Sequence, residues 1–207
     1  MDFLEFKGAM SDLAYFNLGD ACRQLRRHSQ QELADWLKMW VKEERLIKIR
    51  DYYVFPEYRG RREYALALAC RLYTPSYISL YTALSYYEMI PKTTCLITCI
   101  TSARTNAARS ISFTNVFGDY SYKTMANKKL FGFSQKLTTS NHVLCLADPE
   151  KALLDQLYFY PDHELQWNGD YLRNKLNREQ LADYISRMKC VGLEMRVKLL
   201  LWEHNIK

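Results

Sequence analysis

The sequence predicts an α+β protein in which a mixed or antiparallel sheet lies between two helical regions. Three observations carry this prediction. Helical spacing of apolar residues dominates the first part of the chain, five short strand-like runs separated by turn residues follow in the middle, and helical spacing returns after Pro161. Runs of strands followed by runs of helices, without regular alternation, are typical of the α+β class.

The N-terminal region contains signals for three helices. Phe3, Phe6, Met10 and Leu13 recur at helical spacing. Asn17 can cap a short second helix that ends near Leu25. Ser29 to Glu32 (SQQE) is a capping-box pattern, which predicts that a third helix begins there, with an apolar face that includes Leu33, Trp36, Leu37, Trp40 and Val41.

A hairpin follows the third helix. Leu46–Ile49 and Tyr52–Phe55 are strand-like, and the two polar residues Arg50 and Asp51 separate them. Three helices and a terminal hairpin are the order of a winged helix-turn-helix, which we assign to residues 1–56. The Pro-, Gly- and Arg-rich stretch Pro56–Arg62 is the predicted linker.

Residues 63–207 are predicted to form a second, α+β domain. Its core, residues 63–160, begins with helices at Glu63–Tyr73 and from Ser79 to about Tyr87. The predicted strands of this core are Thr94–Thr101, Ser110–Thr114, Tyr120–Lys123, Phe131–Leu137 and His142–Ala147. Residues 161–207 are a predicted helical tail, in which Asn177 begins one helix and Leu193 lies on the apolar stripe of the last.

Composition narrows the class of protein. An apolar fraction of 48% is enough for a packed core, and a net charge of +6 is compatible with a nucleic-acid or an acidic partner. Apolar runs fall short of the roughly 20 residues of a membrane span, and Asp2 and Glu5 lie where a secretory leader is positively charged. We therefore expect a cytoplasmic protein with no membrane partner. The six scattered cysteines predict buried free thiols, and we expect no metal and no other cofactor.

The segment ADPEKALLD, Ala147–Asp155, concentrates four charges in one short window. Asp148 suits the N-cap of a helix, Pro149 the first helical position and Glu150 the positive end of the helix dipole. Lys151 and Asp155 are four residues apart and can pair across the helix surface, for roughly 0.2–0.5 kcal/mol. The segment therefore predicts a helix start. The alternative is a catalytic carboxylate pair, for which no adjacent His or Cys cluster supplies a third group.

Two segments resemble the AbiEi antitoxin family of type IV toxin–antitoxin and abortive-infection systems. These are PSYISLYTALSYYEMIP, Pro75–Pro91, and ADPEKALLDQLYF, Ala147–Phe159, and the order of winged helix and α+β domain is similar too. The positions that carry the resemblance, to which we give mainly structural roles, are Pro75, Ser76, Tyr77, Ser79, Asp148, Pro149, Glu150, Lys151 and Asp155.

The resemblance implies an antitoxin that is not an enzyme. It implies a functional partner, a nucleotidyltransferase-like toxin, which the antitoxin counters without a stable complex. It also implies repression of its own operon through promoter DNA with inverted repeats. This sequence departs from the family in the wing, where members often carry Arg-Gly and this chain carries Arg50 and Asp51. The aspartate lies where a phosphate would approach, and Asp35, Glu43 and Glu44 dilute the charge of the third helix, so we expect weakened DNA affinity.

A winged helix reads DNA mainly with the start of its third helix, in the major groove. Gln30 and Gln31 lie at that start, and glutamine can read adenine bidentately. Basic residues around them would contact phosphates. The DNA-binding candidates are Arg23, Arg26, Arg27, Gln30, Gln31, Lys38, Lys42, Lys48 and Arg50. The alternative is that this polar face is only solvated.

Two further segments have a binding interpretation beside a structural one. Tyr77, Tyr81, Tyr86 and Tyr87 are spaced for one helix face, which favours the core over a surface that stacks bases. The basic loop between predicted strands, with Arg104 and Arg109, is a candidate RNA contact.

Two other functions compete with the antitoxin hypothesis. One is an orphan DNA-binding regulator, which a neighbouring gene without nucleotidyltransferase character would favour. The other is an enzyme that uses Asp148, Glu150, Lys151 and Asp155 to reverse a nucleotidyl modification.

Overall fold

A computed structural model describes residues 1–92, 95–103, 110–138, 142–162 and 164–206. In these ranges the helices are α1 (Phe3–Ala9), α2 (Leu18–Gln24), α3 (Gln30–Lys42), α4 (Arg62–Leu72), α5 (Leu80–Tyr86), α6 (Pro149–Phe159), α7 (Gly169–Asn174), α8 (Arg178–Met188) and α9 (Leu193–Glu203). The strands are β1 (Ile47–Ile49), β2 (Tyr52–Val54), β3 (Ser76–Ile78), β4 (Ile97–Thr101), β5 (Ser110–Asn115), β6 (Gly118–Thr124), β7 (Phe133–Leu137) and β8 (Val143–Ala147). The predicted α+β class is confirmed.

The N-terminal region has the predicted order of three helices and a hairpin. The capping boxes of Asn17 and Ser29 are both formed, so α2 and α3 begin where the sequence indicates. Phe16, between α1 and α2, adds a β-bridge to Tyr53 of the hairpin. A separate apolar cluster holds these elements together, with Phe6, Phe16 and Trp40 among its buried members.

The larger sheet has six strands in the order β5-β6-β4-β3-β8-β7 and is mixed, as predicted. The β3–β8 and β4–β6 pairs are parallel, and the other pairs are antiparallel. The sequence analysis missed the central strand β3. Its three residues are all buried and lie directly before α5, so they show neither the length nor the alternation that identifies a strand.

Helices cover both faces of this sheet. Tyr122 and Tyr77 pair with Cys99 and Ile100, neighbours on β4, so the two tyrosines point to opposite faces. The Tyr122 hydroxyl donates to the Ala69 carbonyl of α4, and the Tyr77 hydroxyl donates to Asp155 of α6. Helices α8 and α9 of the tail pack in turn against α6. This buries α6 on all sides.

The N-terminal hairpin also packs against the second region. Ile49 and Val54 belong to the apolar core of that region and not to the N-terminal cluster. The Arg71 guanidinium on α4 donates to the Tyr15 hydroxyl at 3.0 Å. The two regions therefore share an interface that the linker prediction did not anticipate.

The expectation of buried thiols is wrong for four of the six cysteines. All six are free, but only Cys70 and Cys99 are buried, and Cys95 is exposed. Across the described ranges, the helices are too short or too polar for any of them to cross a lipid bilayer.

Candidate nucleic-acid surface and buried motif network

The start of α3 is built by its capping box. The Ser29 amide donates to the Glu32 carboxylate at 2.8 Å, and the Glu32 amide donates to the Ser29 hydroxyl at 3.2 Å. Leu33, Leu37 and Trp40 point into the core. The opposite side of the helix, with Gln30, Gln31, Lys38 and Lys42, is therefore exposed, as a recognition helix requires.

One acidic residue, Asp35, contacts two of the candidate residues on this exposed side. Asp35 accepts hydrogen bonds from the Gln31 amide at 3.0 Å and from the Lys38 ammonium at 3.4 Å. The hydrogen bond from Gln31 lowers the pKa of Asp35, so its carboxylate stays charged at neutral pH. Gln31 and Lys38 are thus engaged within the chain, and Gln30 at the first helical position is the better placed of the two glutamines for a base.

The basic run before α3 is exposed. Arg23 is paired with Asp20, while the Arg26 side chain turns back to donate to the Arg23 carbonyl at 3.3 Å. Arg26 and Arg27 lie next to the α3 start in sequence and are open to solvent. Arg26, Arg27 and Gln30 are therefore all exposed at or just before the start of α3.

The two basic hairpin residues among the DNA-binding candidates, Lys48 and Arg50, both lie near aromatic rings of the chain. The Arg50 guanidinium lies 4.3 Å from the centre of the Tyr73 ring, at the end of α4, and Asp51 beside it is exposed. Lys48 is exposed, with its ammonium 5.8 Å from the Tyr53 ring. Arg50 therefore has an aromatic partner in the second region, while the residue itself is exposed. Sequence reasoning missed this partner because α4 lies beyond the hairpin in the chain.

The residues of the two motif segments meet in one buried network. Asp155 on α6 accepts from the Tyr77 hydroxyl at 2.9 Å and from the Ser79 hydroxyl at 2.7 Å, and it pairs with Lys151 one turn earlier. The Lys151 ammonium also lies 5.4 Å from the Tyr77 ring and 5.2 Å from the Phe131 ring. The first segment supplies the hydroxyls, and the second supplies the ion pair.

The expectation of a surface pair between Lys151 and Asp155 is wrong. Both side chains are 0% exposed, because α8 and the sheet cover α6 on the side that a simple amphipathic pattern assigns to solvent. Burial lowers the pKa of Lys151, opposed by the carboxylate of Asp155. Burial also raises the pKa of Tyr77 well above its usual value, so its hydroxyl stays a donor.

The other acidic residues of the segment, Asp148 and Glu150, form hydrogen bonds with the C-terminal helical region. Asp148 is the N-cap residue by position, but its side chain makes no cap, which corrects that part of the prediction. Instead its carboxylate accepts hydrogen bonds from the Tyr184 hydroxyl at 3.0 Å and from the side-chain amide of Gln180 at 3.4 Å, both on α8. The buried Glu150 carboxylate accepts a hydrogen bond at 2.7 Å from the backbone amide of Asn177, at the start of α8. Pro149 occupies the first turn of α6, as predicted.

The remaining motif residues also have contacts within the fold. Ser76 donates to the Cys70 carbonyl at 3.2 Å, and the exposed Pro75 accepts at its carbonyl from the Thr101 hydroxyl at 2.8 Å. Among the motif tyrosines, Tyr77 is fully buried, and the Tyr87 hydroxyl donates to the Ala147 carbonyl at 3.0 Å. Tyr86 is 53% exposed, so the core interpretation does not hold for it.

Two of the sequence candidates, Arg104 and Arg109, lie outside the described residues. Within the described ranges, no three His, Cys, Asp or Glu side chains are arranged to hold a metal ion. No protein-family model matches the sequence, and no curated protein is significantly similar to it.

Proposed function

We propose that the protein is an antitoxin that also represses its own operon: the N-terminal winged helix reads promoter DNA, and the second domain counters a nucleotidyltransferase-like toxin. The observation that carries the DNA half is the exposed α3 start. There Arg26, Arg27 and Gln30 are exposed, just before and at the first residue of a helix whose Leu33, Leu37 and Trp40 are buried. Arginines for phosphates beside a glutamine for a base edge are the contacts that such a helix makes in the major groove.

The antitoxin half is supported by the resemblance of the two motif segments to AbiEi antitoxins. Their side chains converge on Asp155, which joins β3, the residue before α5, and α6. A network of this kind links segments that are distant in sequence, and its loss would leave a buried charge without a partner. The motif residues therefore stabilise the fold of the second domain, and the surface that acts against the toxin lies elsewhere on that domain.

The burial of the charged motif residues argues against an enzyme that uses them, because a substrate could not reach them. A general acid or base must come within hydrogen-bond reach of a substrate. The side chains of Lys151 and Asp155 have no exposed surface, and Glu150 is 3% exposed. All three are also occupied by partners within the chain.

Promoter binding by single variants tests the DNA half. Gel-shift titrations on the upstream region would compare the wild type, Arg26→Ala, Gln30→Ala and the control Lys92→Ala, an exposed lysine remote from α3. Loss of the phosphate contact in Arg26→Ala should weaken binding to all sequences and reduce the slope against salt by about 0.9. Gln30→Ala should reduce the discrimination against the wrong base at one position by about 1–3 kcal/mol.

If neither variant changes promoter binding while the wild type does bind, the recognition surface has been assigned to the wrong face. An orphan regulator is the second candidate function, because the exposed α3 start supports DNA binding and says nothing about a toxin. The absence of a nucleotidyltransferase-like gene beside this one would favour it.

A further inference from the structure

The net charge is distributed unevenly along the chain. Residues 1–56 contain nine Lys or Arg and nine Asp or Glu, so the winged-helix region carries no net charge. Residues 57–207 contain twenty basic and fourteen acidic residues, which accounts for the whole excess of +6. A basic face is the electrostatic footprint of a nucleic-acid-binding domain, and here the excess lies in the second domain.

Three of its lysines lie together at one end of the sheet. Lys123 is the penultimate residue of β6, and Lys128 and Lys129 lie in the short 3₁₀ turn that follows. The Lys129 ammonium is 4.6 Å from the Tyr158 ring, and the Lys123 ammonium is 5.0 Å from the Tyr160 ring. Because both tyrosines are at the C-terminal end of α6, Lys123 and Lys129 converge there, and the exposed Lys128 is the chain neighbour of Lys129. We call these five residues the lysine–tyrosine surface.

These lysines differ in their partners from Arg23 and Lys38 of the N-terminal region. Arg23 and Lys38 are each paired with a carboxylate. In the described ranges, by contrast, the ion pairs within 4.0 Å involve none of Lys123, Lys128 and Lys129. Contact with a tyrosine ring holds an ammonium in place without neutralising it. Ordered ammonium groups lose less side-chain entropy when they bind a phosphate.

We propose that the lysine–tyrosine surface binds single-stranded nucleic acid, with the lysines on phosphates and the tyrosines beside unpaired bases. Tyr158 and Tyr160 are half-buried and are not enclosed in the core. Aromatic rings between basic residues suit a strand whose bases are free to stack, whereas a duplex keeps its bases inside. The adjacent turn is tied to the end of β4, because the Ser102 hydroxyl donates to the Asn127 side chain at 3.2 Å. This surface is independent of duplex reading by α3.

Charge reversal in the intact protein tests the proposal. The probes are fluorescent oligo(rU) and oligo(dT) of about 12 nucleotides, a length within known single-strand site sizes. Lys128→Glu/Lys129→Glu is compared with the control Lys92→Glu/Lys175→Glu, which makes the same charge change at exposed lysines elsewhere in the domain. Circular dichroism and urea unfolding check that both variants are folded.

The proposal predicts that Lys128→Glu/Lys129→Glu lowers affinity at least about tenfold and reduces the salt slope by about 1.4, since single strands contribute about 0.7 per phosphate contact. The control and Arg26→Ala should bind as the wild type does, which separates this surface from the α3 start. A preference for oligo(rU) over oligo(dT), or the reverse, identifies the natural strand and supports the proposal.

Three results would overturn it. The first is that the wild-type protein binds neither oligonucleotide. The second is that both double variants lose the same affinity, since net charge and not this surface would then set binding. The third is that poly-glutamate or a duplex of equal length displaces the oligonucleotide equally well, because the surface would then take any polyanion.

Discussion

At the scale of the residue, burial determines how much the Asp155 carboxylate and its partners contribute to stability. An i,i+4 Lys–Asp pair reads from the sequence as a solvated surface contact, and such pairs contribute little. In the fold the carboxylate has no solvent, and its partners are the Lys151 ammonium and the hydroxyls of Tyr77 and Ser79. Removal of one partner from a buried pair leaves an unpaired charge, which costs more than removal of both.

Stability measurements on this pair should show strong coupling. We predict that Asp155→Ala lowers the free energy of unfolding by about 3–5 kcal/mol, and that Lys151→Met/Asp155→Ala recovers part of that loss. Urea unfolding curves of the wild type, both single variants and the double variant measure the coupling. Glu194→Ala is the matched control, since Glu194 and Lys198 form an exposed i,i+4 pair at 2.6 Å, and it should change stability little. Additive losses at Lys151 and Asp155 would contradict the network.

At the scale of the element, local signals predicted where helices begin but not what surrounds them. The Asn17 N-cap and the Ser29 capping box identified α2 and α3 because such caps depend only on residues a few positions apart. The Asp148 side chain instead reaches α8, and Arg50 reaches Tyr73, and neither contact has a signature in the local sequence. The candidate DNA residues and the diluting effect of Asp35 could be named from sequence, but its hydrogen bonds with Gln31 and Lys38 needed the observed geometry.

The segment between β6 and β7 gives a prediction at this scale. Gly132 has φ +67°, and a Cβ there would lie 2.7 Å from Cε2 of Tyr184 and 3.0 Å from Cβ of Lys151. Gly60 has φ +73° but has nothing within 4 Å of its Cβ position. Both alanine variants incur about 1–2 kcal/mol of left-handed backbone strain, and Gly132→Ala should lose about 1–3 kcal/mol more from overpacking. Equal urea midpoints for the two variants would show that α8 does not close tightly over this turn.

At the scale of the whole molecule, the α+β class followed from the order of periodic segments, and five of the six strands of the large sheet were expected from turn-bounded runs. The packing of the hairpin against the core of the second region and of the tail on α6 did not follow, because such contacts join residues far apart in sequence. The result is a protein in which an N-terminal region without net charge adjoins a second region with a net positive charge. The division of labour that we propose assigns promoter DNA to the first and antitoxicity to the second.

Growth rescue tests this division most directly. The chain, expressed from an inducible promoter, would be combined with the nucleotidyltransferase-like toxin gene that the account expects beside it. We predict that the wild type restores growth and that Arg26→Ala/Arg27→Ala restores it equally while it no longer represses the native promoter. Failure of the folded wild-type protein to restore growth, or loss of rescue in the variant at equal protein levels, would contradict the account.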